Sequence, residues 1–309
     1  LATPVNNTIN ALKTGNAIIL APSPKGVRPL LALLKEIHAA LAKLGVPEDL
    51  VQMVPVPPSK PKTERLMQIA DLVVVTGSQS NVRAGYSSGT PAIGVGAGNV
   101  VTIVDETADI AATAAKIAAS KTFDNATSCS SENAVVVVDE VYDALVAALA
   151  SEGGFCLDAG QTAHLEATHW HNGKLTNKLL AKDIDVVLSA TGLDAVAPEG
   201  TRFLLAPQET ISPDQPMTGE KMARFLALYR ASDFDDALNK AIEIQTIQGA
   251  GHSLGLHSGD DERARRLAME ARTCRVIVNQ AHCFATGGFF NNGLPFSLSM
   301  GCGSWGGNS

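Results

Sequence analysis

The chain has 309 residues, 45% of them apolar and 18% charged, which is the make-up of a globular protein of about two domains. Its 24 basic and 31 acidic residues leave a net charge of −7, which argues against nucleic acid or an anionic membrane surface as the main partner. The apolar runs at 73–75 and 135–138 are short and 30–44 is interrupted by charge, so no segment reads as a bilayer span.

The first ten residues are polar, with Asn6 and Asn7 side by side, and no regular element is assigned to them. Residues 16–21 read as a short buried strand that ends in Pro22-Ser23-Pro24. Residues 29–44 carry apolar side chains at helical spacing and stop at Gly45, a C-cap signal. A strand at 51–56, a helix at 63–70 and a strand at 72–76 follow, the last closed by Gly77-Ser78. A helix near 81–86 and strands at 92–95 and 100–104 come next; Thr107 or Asp109 then caps an alanine-rich helix running to about 120. Beyond the polar stretch 123–133, the spacing predicts a strand at 134–138, a helix at 141–150 and a less regular region at 152–182. Strands near 185–189, 202–206 and 225–229 precede a helix at 234–244, a strand at 253–257, a helix at 261–271, a strand at 275–279 and a glycine-rich tail. Alternation of strand and helix predicts an α/β protein, its parallel sheet covered on both faces.

Cys129 lies in the polar stretch FDNATSCSSEN at 123–133. Thiolate is a strong nucleophile, so a thiol among Ser, Thr and Asn suits chemistry; the other reading is a buried structural cysteine. The five cysteines, at 129, 156, 274, 283 and 302, form an odd set with no CxxC pair, which speaks against a disulfide framework or zinc knuckle and for a reducing cytoplasm. Thr76-Gly77-Ser78 stands where a strand meets a helix, the place where a backbone turn can receive a phosphate. Gly94-Val95-Gly96-Ala97-Gly98-Asn99 implies close backbone approach, either to a ligand or to a neighbouring loop. His169 and His171 flank Trp170 with no third ligand nearby and read as surface residues. His252, in a glycine-rich bend before a strand, either faces a cleft or is a satisfied structural histidine. The tail 301–308 packs glycines around Cys302 and Trp305, and composition does not separate function from turn chemistry there.

Read together, SKTFDNATSCSSENAVVVVDEVYDA, YSSGTPAIGVGAGN, VDETADI, GEKM with LALYRASDFDDAL, and SLSMGCGSWGGNS resemble the CoA-acylating branch of the aldehyde dehydrogenase superfamily. The matches run through nearly the whole chain in the family's order. The opening TPVNNTINALKTGNAIILAPSPKG resembles those members that act on sulfoacetaldehyde. Family members carry a stretch before the segment equivalent to 3–7 and continue past 307–309 into a strand used in oligomerisation, so the chain reads as a fragment whose full-length form is a homo-oligomer.

The resemblance implies a Rossmann-type cofactor domain over 1–125 and an α/β catalytic domain over 126–309. It implies Cys129 as nucleophile, with the Asn7 amide and the Cys129 backbone N–H as oxyanion donors. Ser23 and Lys25 would lie near the adenosine ribose, Gly77 and Ser78 over the pyrophosphate, Gly96 in the glycine segment against the cofactor, and Glu220 on the nicotinamide ribose. The cofactor is NADP or NAD; the absence of a carboxylate at 21–26, with Ser23 and Lys25 present, points to tolerance of a 2′-phosphate. The partners are a small aldehyde and coenzyme A. Hydrolytic relatives place a glutamate at the head of the glycine segment, whereas this chain has Pro91-Ala92-Ile93 there, which suits acyl transfer to a thiol. Two departures stand out: Ser128 is polar where acetaldehyde-type members have an apolar residue, and Met222-Ala223-Arg224-Phe225 lacks a proline common after the glutamate. An acetaldehyde- or propionaldehyde-type acylating enzyme, a hydrolytic aldehyde dehydrogenase and a non-catalytic scaffold stay open as alternatives.

Overall fold

The computed structural model describes residues 2–289, 292–294 and 296–297. The tail singled out at 301–308 lies outside them. Two compact units are present: one holds the residues up to 76 together with 80–94, the other holds 77–79 and runs from 95 to 294. The boundary expected at 125/126 falls inside the second unit, because the strands on either side of it pair with each other.

The first unit opens with helix α1 (Ala2–Lys13), where the sequence suggested no element, and strand β1 (Ile18–Leu20). Helix α2 (Val27–Lys43) buries Leu30, Leu34 and Leu41, the spacing of one helical face. Strand β2 (Val51–Met53) runs parallel to β1, and this pair and α2 enclose a small apolar core around Val51. Helix α3 (Lys60–Ile69), strand β3 (Val73–Thr76), helix α4 (Gln79–Tyr86) and strand β4 (Ala92–Val95) follow, β3 pairing with β4.

Strand β5 (Val100–Val104), helix α5 (Ile110–Thr122), strand β6 (Glu132–Val138) and helix α6 (Asp139–Ser151) begin the second unit. Asp109 caps α5 by accepting the Ala112 N–H. Strand β7 (Gly154–Cys156), helix α7 (Ala159–His169) and a hairpin of β8 (Trp170–His171) and β9 (Lys174–Leu175) fill the stretch read as irregular. Asp158 and Gln161 form a capping box that starts α7. Residues 185–189, expected as a strand, lie in helix α8 (Ile184–Thr191), since Val187, Leu188 and Thr191 share one buried face and Gly192 ends it at φ 70°. Strands β10 (Phe203–Gln208) and β11 (Phe225–Ala231), helix α9 (Phe234–Ile247), strand β12 (Leu254–His257), helix α10 (Asp261–Glu270), strand β13 (Val276–Val278) and helix α11 (His282–Ala285) complete it.

Seven of these strands form one sheet, ordered β13-β12-β5-β6-β11-β10-β7, and every pairing in it is parallel. All seven residues of β6 are buried. Val135 and Val137 face the core formed with α5 and α6, while Ala134, Val136 and Val138 face the opposite one, where α9 packs. A strand covered on both faces needs no polar face, which explains its unbroken valine run. The residues just ahead of β5, β6, β11 and β12 therefore meet at the sheet's amino-terminal edge, the opposite edge from the one where open α/β sheets usually receive ligands.

Candidate active site

Cys129 reaches that edge on a constrained loop. After α5 the chain turns through Asp124, Asn125 and Ala126 at φ 45°, 54° and 57°, left-handed values that Asp and Asn tolerate and that cost a residue such as Ala126 roughly 1–2 kcal/mol. Side chains hold the turn: Thr127 Oγ1 donates to Asp124 O and Oδ2, both at 2.7 Å, and Asn125 accepts from Arg224 while donating to Asp183 at 2.9 Å. Phe123 sets its ring edge-on to Phe284 of α11, centroids 4.9 Å apart. The loop's two flanks are tied underneath, where the buried Lys121 Nζ donates to the Glu132 carbonyl at 2.7 Å. Burial brings Lys121 down to about 7 and pushes Glu132 up to about 7.

His252 Nε2 stands 3.3 Å from Cys129 Sγ; the histidine is fully buried, both of its ring nitrogens have a partner, and one of the two is the thiol. The bend that delivers it needs its glycines. Gly249 at φ 101° passes Gly98 and Asn99 so closely that a Cβ would stand 3.0 Å from the Gly98 carbonyl. Behind the ring, His252 Nδ1 lies 2.9 Å from Ser253 Oγ, which in turn lies 2.8 Å from His282 Nε2. Burial, with Arg275 nearby, pulls His252 down to about 4, so at neutral pH it is an uncharged imidazole.

The glycine segment packs against the backbone of Cys129. A Cβ on Gly98 would stand 1.9 Å from the Cys129 carbonyl oxygen, so the loop approached by this segment is the cysteine's own. Gly98 N–H donates to Glu220 Oε1 at 2.8 Å, and the Glu220 N–H donates to Gln248 Oε1 at 2.8 Å. Burial raises the Glu220 carboxyl, partly offset by the Gly98 N–H. Asn99 Nδ2 donates to the Thr218 and Gln248 carbonyls at 2.9 and 3.0 Å, and Lys221 N–H donates to Asn133 Oδ1 at 2.9 Å. Cys129, Gly98, Glu220 and His252 are thus brought together within the second unit; Ser253, His282, Gln248, Asn99 and Asn133 are the partners that sequence reasoning missed.

The other expected residues sit as follows. Gly77, exposed at the end of β3, has φ 146°, which favours glycine, and its N–H donates to the Val95 carbonyl at 3.2 Å; Ser78 beside it is exposed. Gly96 is half-buried in the glycine segment. Ser23 and Lys25 are exposed at the turn after β1. Asn7 is half-buried on α1, where its Oδ1 accepts from Asn6 at 3.5 Å. His169, expected at the surface, is buried at the end of α7, while His171 is exposed. Among the described residues no group of His, Cys, Asp and Glu is arranged to hold a metal ion, and no helix is long and apolar enough to cross a membrane.

A thiol against a neutral imidazole, with a glycine segment packed on its backbone at the edge of a parallel sheet, defines an α/β protein built around a cysteine centre. The model of the aldehyde dehydrogenase family matches residues 1–154. The acylating sulfoacetaldehyde dehydrogenase of Cupriavidus necator is 53% identical over 308 residues, covering 100% of this chain and 62% of that protein. The acetylating succinate-semialdehyde dehydrogenase of Clostridium kluyveri is 36% identical over 310 residues, covering 100% of this chain and 68% of that protein. Among solved structures, propionaldehyde dehydrogenase of Rhodopseudomonas palustris with bound CoA and an acylated cysteine superposes with a TM-score of 0.87 at 28% identity, over 98% of this chain and 69% of that one. The chain belongs to the aldehyde dehydrogenase family, and spans 62% to 69% of the length of these relatives.

Proposed function

We propose that this chain carries the thiol centre and cofactor-binding residues of an NAD(P)-dependent, CoA-acylating aldehyde dehydrogenase acting on sulfoacetaldehyde. The observation that carries this reading is Cys129 Sγ at 3.3 Å from the neutral His252, with no Asp or Glu anywhere in 91–99 to activate a hydrolytic water.

His252 takes the thiol proton as Sγ of Cys129 adds to the aldehyde carbon, giving a thiohemiacetal; that proton, the one the oxidation releases overall, leaves before CoA enters. The backbone N–H of Cys129 meets the developing oxyanion. The residues present suit a dinucleotide: Gly77 is exposed, with no side chain to obstruct a pyrophosphate, Ser78 offers a hydroxyl, and Glu220 is a carboxyl beside the thiol loop. When bound, the nicotinamide supplies the acceptor for the hydride that leaves the former aldehyde carbon. Cys129 then holds the acyl group as a thioester. His252 takes the proton of the incoming CoA thiol and returns it to Cys129 as that sulfur leaves.

Sulfoacetaldehyde is supported by the 53% identity to the Cupriavidus necator protein and by the hydroxyl of Ser128 beside the nucleophile. NADP over NAD is supported by exposed Ser23 and Lys25 and the absence of a carboxylate at 21–26. The test is nicotinamide reduction by the full-length protein, with and without CoA, on sulfoacetaldehyde and acetaldehyde, using NADP and NAD. We expect CoA-dependent turnover with NADP and sulfoacetaldehyde as the better pair; release of free acid at an equal rate without CoA would replace thiolysis by hydrolysis.

A further inference from the structure

Behind His252 the hydrogen-bonded string continues to Ser253 and then to His282, both fully buried. A hydroxyl has one proton, so Ser253 Oγ donates to one of its two imidazole neighbours and accepts from the other. In the first arrangement, His252 Nδ1–H donates to Oγ, Oγ–H donates to His282 Nε2, and His252 Nε2 is a bare lone pair facing sulfur. In the second, every donor is reversed and His252 presents Nε2–H to the thiol. Only the first lets His252 gain a proton at Nε2 while its Nδ1–H already has an acceptor. The second would set Oγ–H against the new Nδ1–H and require His282 to change tautomer.

We propose that Ser253 and His282 are positioning residues that hold His252 in its Nδ1–H tautomer, so that Nε2 accepts the proton of the Cys129 thiol. In that step the S–H bond breaks, its electron pair stays on sulfur and the proton binds Nε2. His282 is the accepting end of the string and not a proton sink. Burial, with His252 and His257 close by, pulls it down to about 3, and it stays neutral. Among the described residues His252 is hydrogen-bonded to Cys129 and Ser253 and feels the charge of Arg275; His282 is hydrogen-bonded to Ser253 and, through its backbone N–H, to Glu132 Oε1, and feels His252 and His257. None of these is a carboxylate on His252 Nδ1, so the orienting task falls to the serine.

This inference rests on Cys129 being the nucleophile, and its test is a thiol measurement that does not need turnover. In the full-length protein, the rate of Cys129 alkylation by iodoacetamide is followed against pH in wild type, Ser253→Ala, Ser253→Thr, His282→Phe and the Ala/Phe double variant. Ser253→Ala should move the midpoint up by about one pH unit, about tenfold in rate at pH 7. Ser253→Thr, which keeps the hydroxyl, should retain the wild-type midpoint. His282→Phe should move it in the same direction by less, and the double variant no further than Ser253→Ala, because members of one string do not add. Midpoints that stay in place in Ser253→Ala and His282→Phe, or shifts that add, would overturn the proposal, even where the melting temperature falls. Should Ser253→Ala fail to fold, His282→Phe decides by the same readout. A wild-type Cys129 that alkylates normally without CoA-dependent turnover would instead remove the catalytic reading and leave the string testable.

Discussion

The carbonyl oxygen of Cys129 occupies the space that a side chain on Gly98 would need. A Cβ at Gly98 would stand 1.9 Å from that oxygen and 2.9 Å from the Cys129 Cβ. Neither atom is the flexible end of a side chain, so Gly98→Ala must displace the backbone of Cys129 itself. A shift of about 1 Å in a reacting group costs on the order of a hundredfold in rate. We expect Gly98→Ala to fold, by circular dichroism, and to lose at least about a hundredfold in kcat. Near-wild-type kcat would mean that the glycine segment does not set the thiol's position.

The four described cysteines should differ sharply in chemistry. Burial pushes Cys283 up to about 12 and also raises Cys156 and Cys274, leaving little thiolate at neutral pH. A short iodoacetamide pulse at pH 7.5, mapped by mass spectrometry, should mark Cys129 first. Cys129→Ala should abolish turnover while Cys156→Ala and Cys274→Ala retain it. An active Cys129→Ala protein would end the proposed mechanism.

Glu220→Gln keeps the acceptor for the Gly98 N–H while removing the charge available to cofactor hydroxyls. Hydrogen bonds to charged groups exceed neutral ones by about 1 kcal/mol, so the KM for the nicotinamide cofactor should rise about fivefold with kcat little changed. Steady-state kinetics at saturating aldehyde and CoA reads this out. An unchanged KM would take Glu220 off the ribose.

Acid stability isolates His257, a buried imidazole that burial and Lys116 pull from 6.5 to about 4. Between those values the unfolded chain binds a proton there and the folded chain does not. Its contribution therefore destabilises the fold as pH drops from about 6.5 towards 4 and levels off below that. Glu132, raised by burial to about 7, works in the opposite direction from pH 7 down to its ordinary range, while His252 and His282 work in the same direction as His257, so a whole-protein profile would blend all four. His257→Gln separates them. Urea denaturation at pH 7 and pH 5 should show the variant losing about 2 kcal/mol less than wild type on acidification. Equal losses would show that His257 is charged in the folded protein.

The sequence was most legible where one side chain's environment follows from its neighbours in the chain. The valine run of β6, the Asp109 cap of α5 and the apolar face of α2 depend on local periodicity, and each lies close to where it was expected. Helix α8 was not legible, because a run of eight residues is too short for periods of 2 and 3.6 to be told apart. Around the thiol the decisive contacts join residues distant in sequence: Gly98 to Glu220 across 122 positions, and Cys129 to His252 across 123. Gln248 and Ser253 flank the glycine-rich bend that singled out His252, but nothing in the neighbours of His282 marks it as a partner of this centre. The family resemblance named Cys129 and Glu220, but only the sheet's strand order explains why they lie at one edge.

That strand order also bears on how safely a cell can make a reactive cysteine. Strand β12, which brings His252 to the thiol, docks between β5 and β13, and its residues are translated long after the Cys129 loop. A nascent chain that has only reached β6 carries an ordinary thiol, with no imidazole beside it and no glycine bend to deliver one. The imidazole reaches this thiol only on completion of the sheet. Electrophiles met at the ribosome, or in a chain that has lost its fold, encounter a thiol without that imidazole.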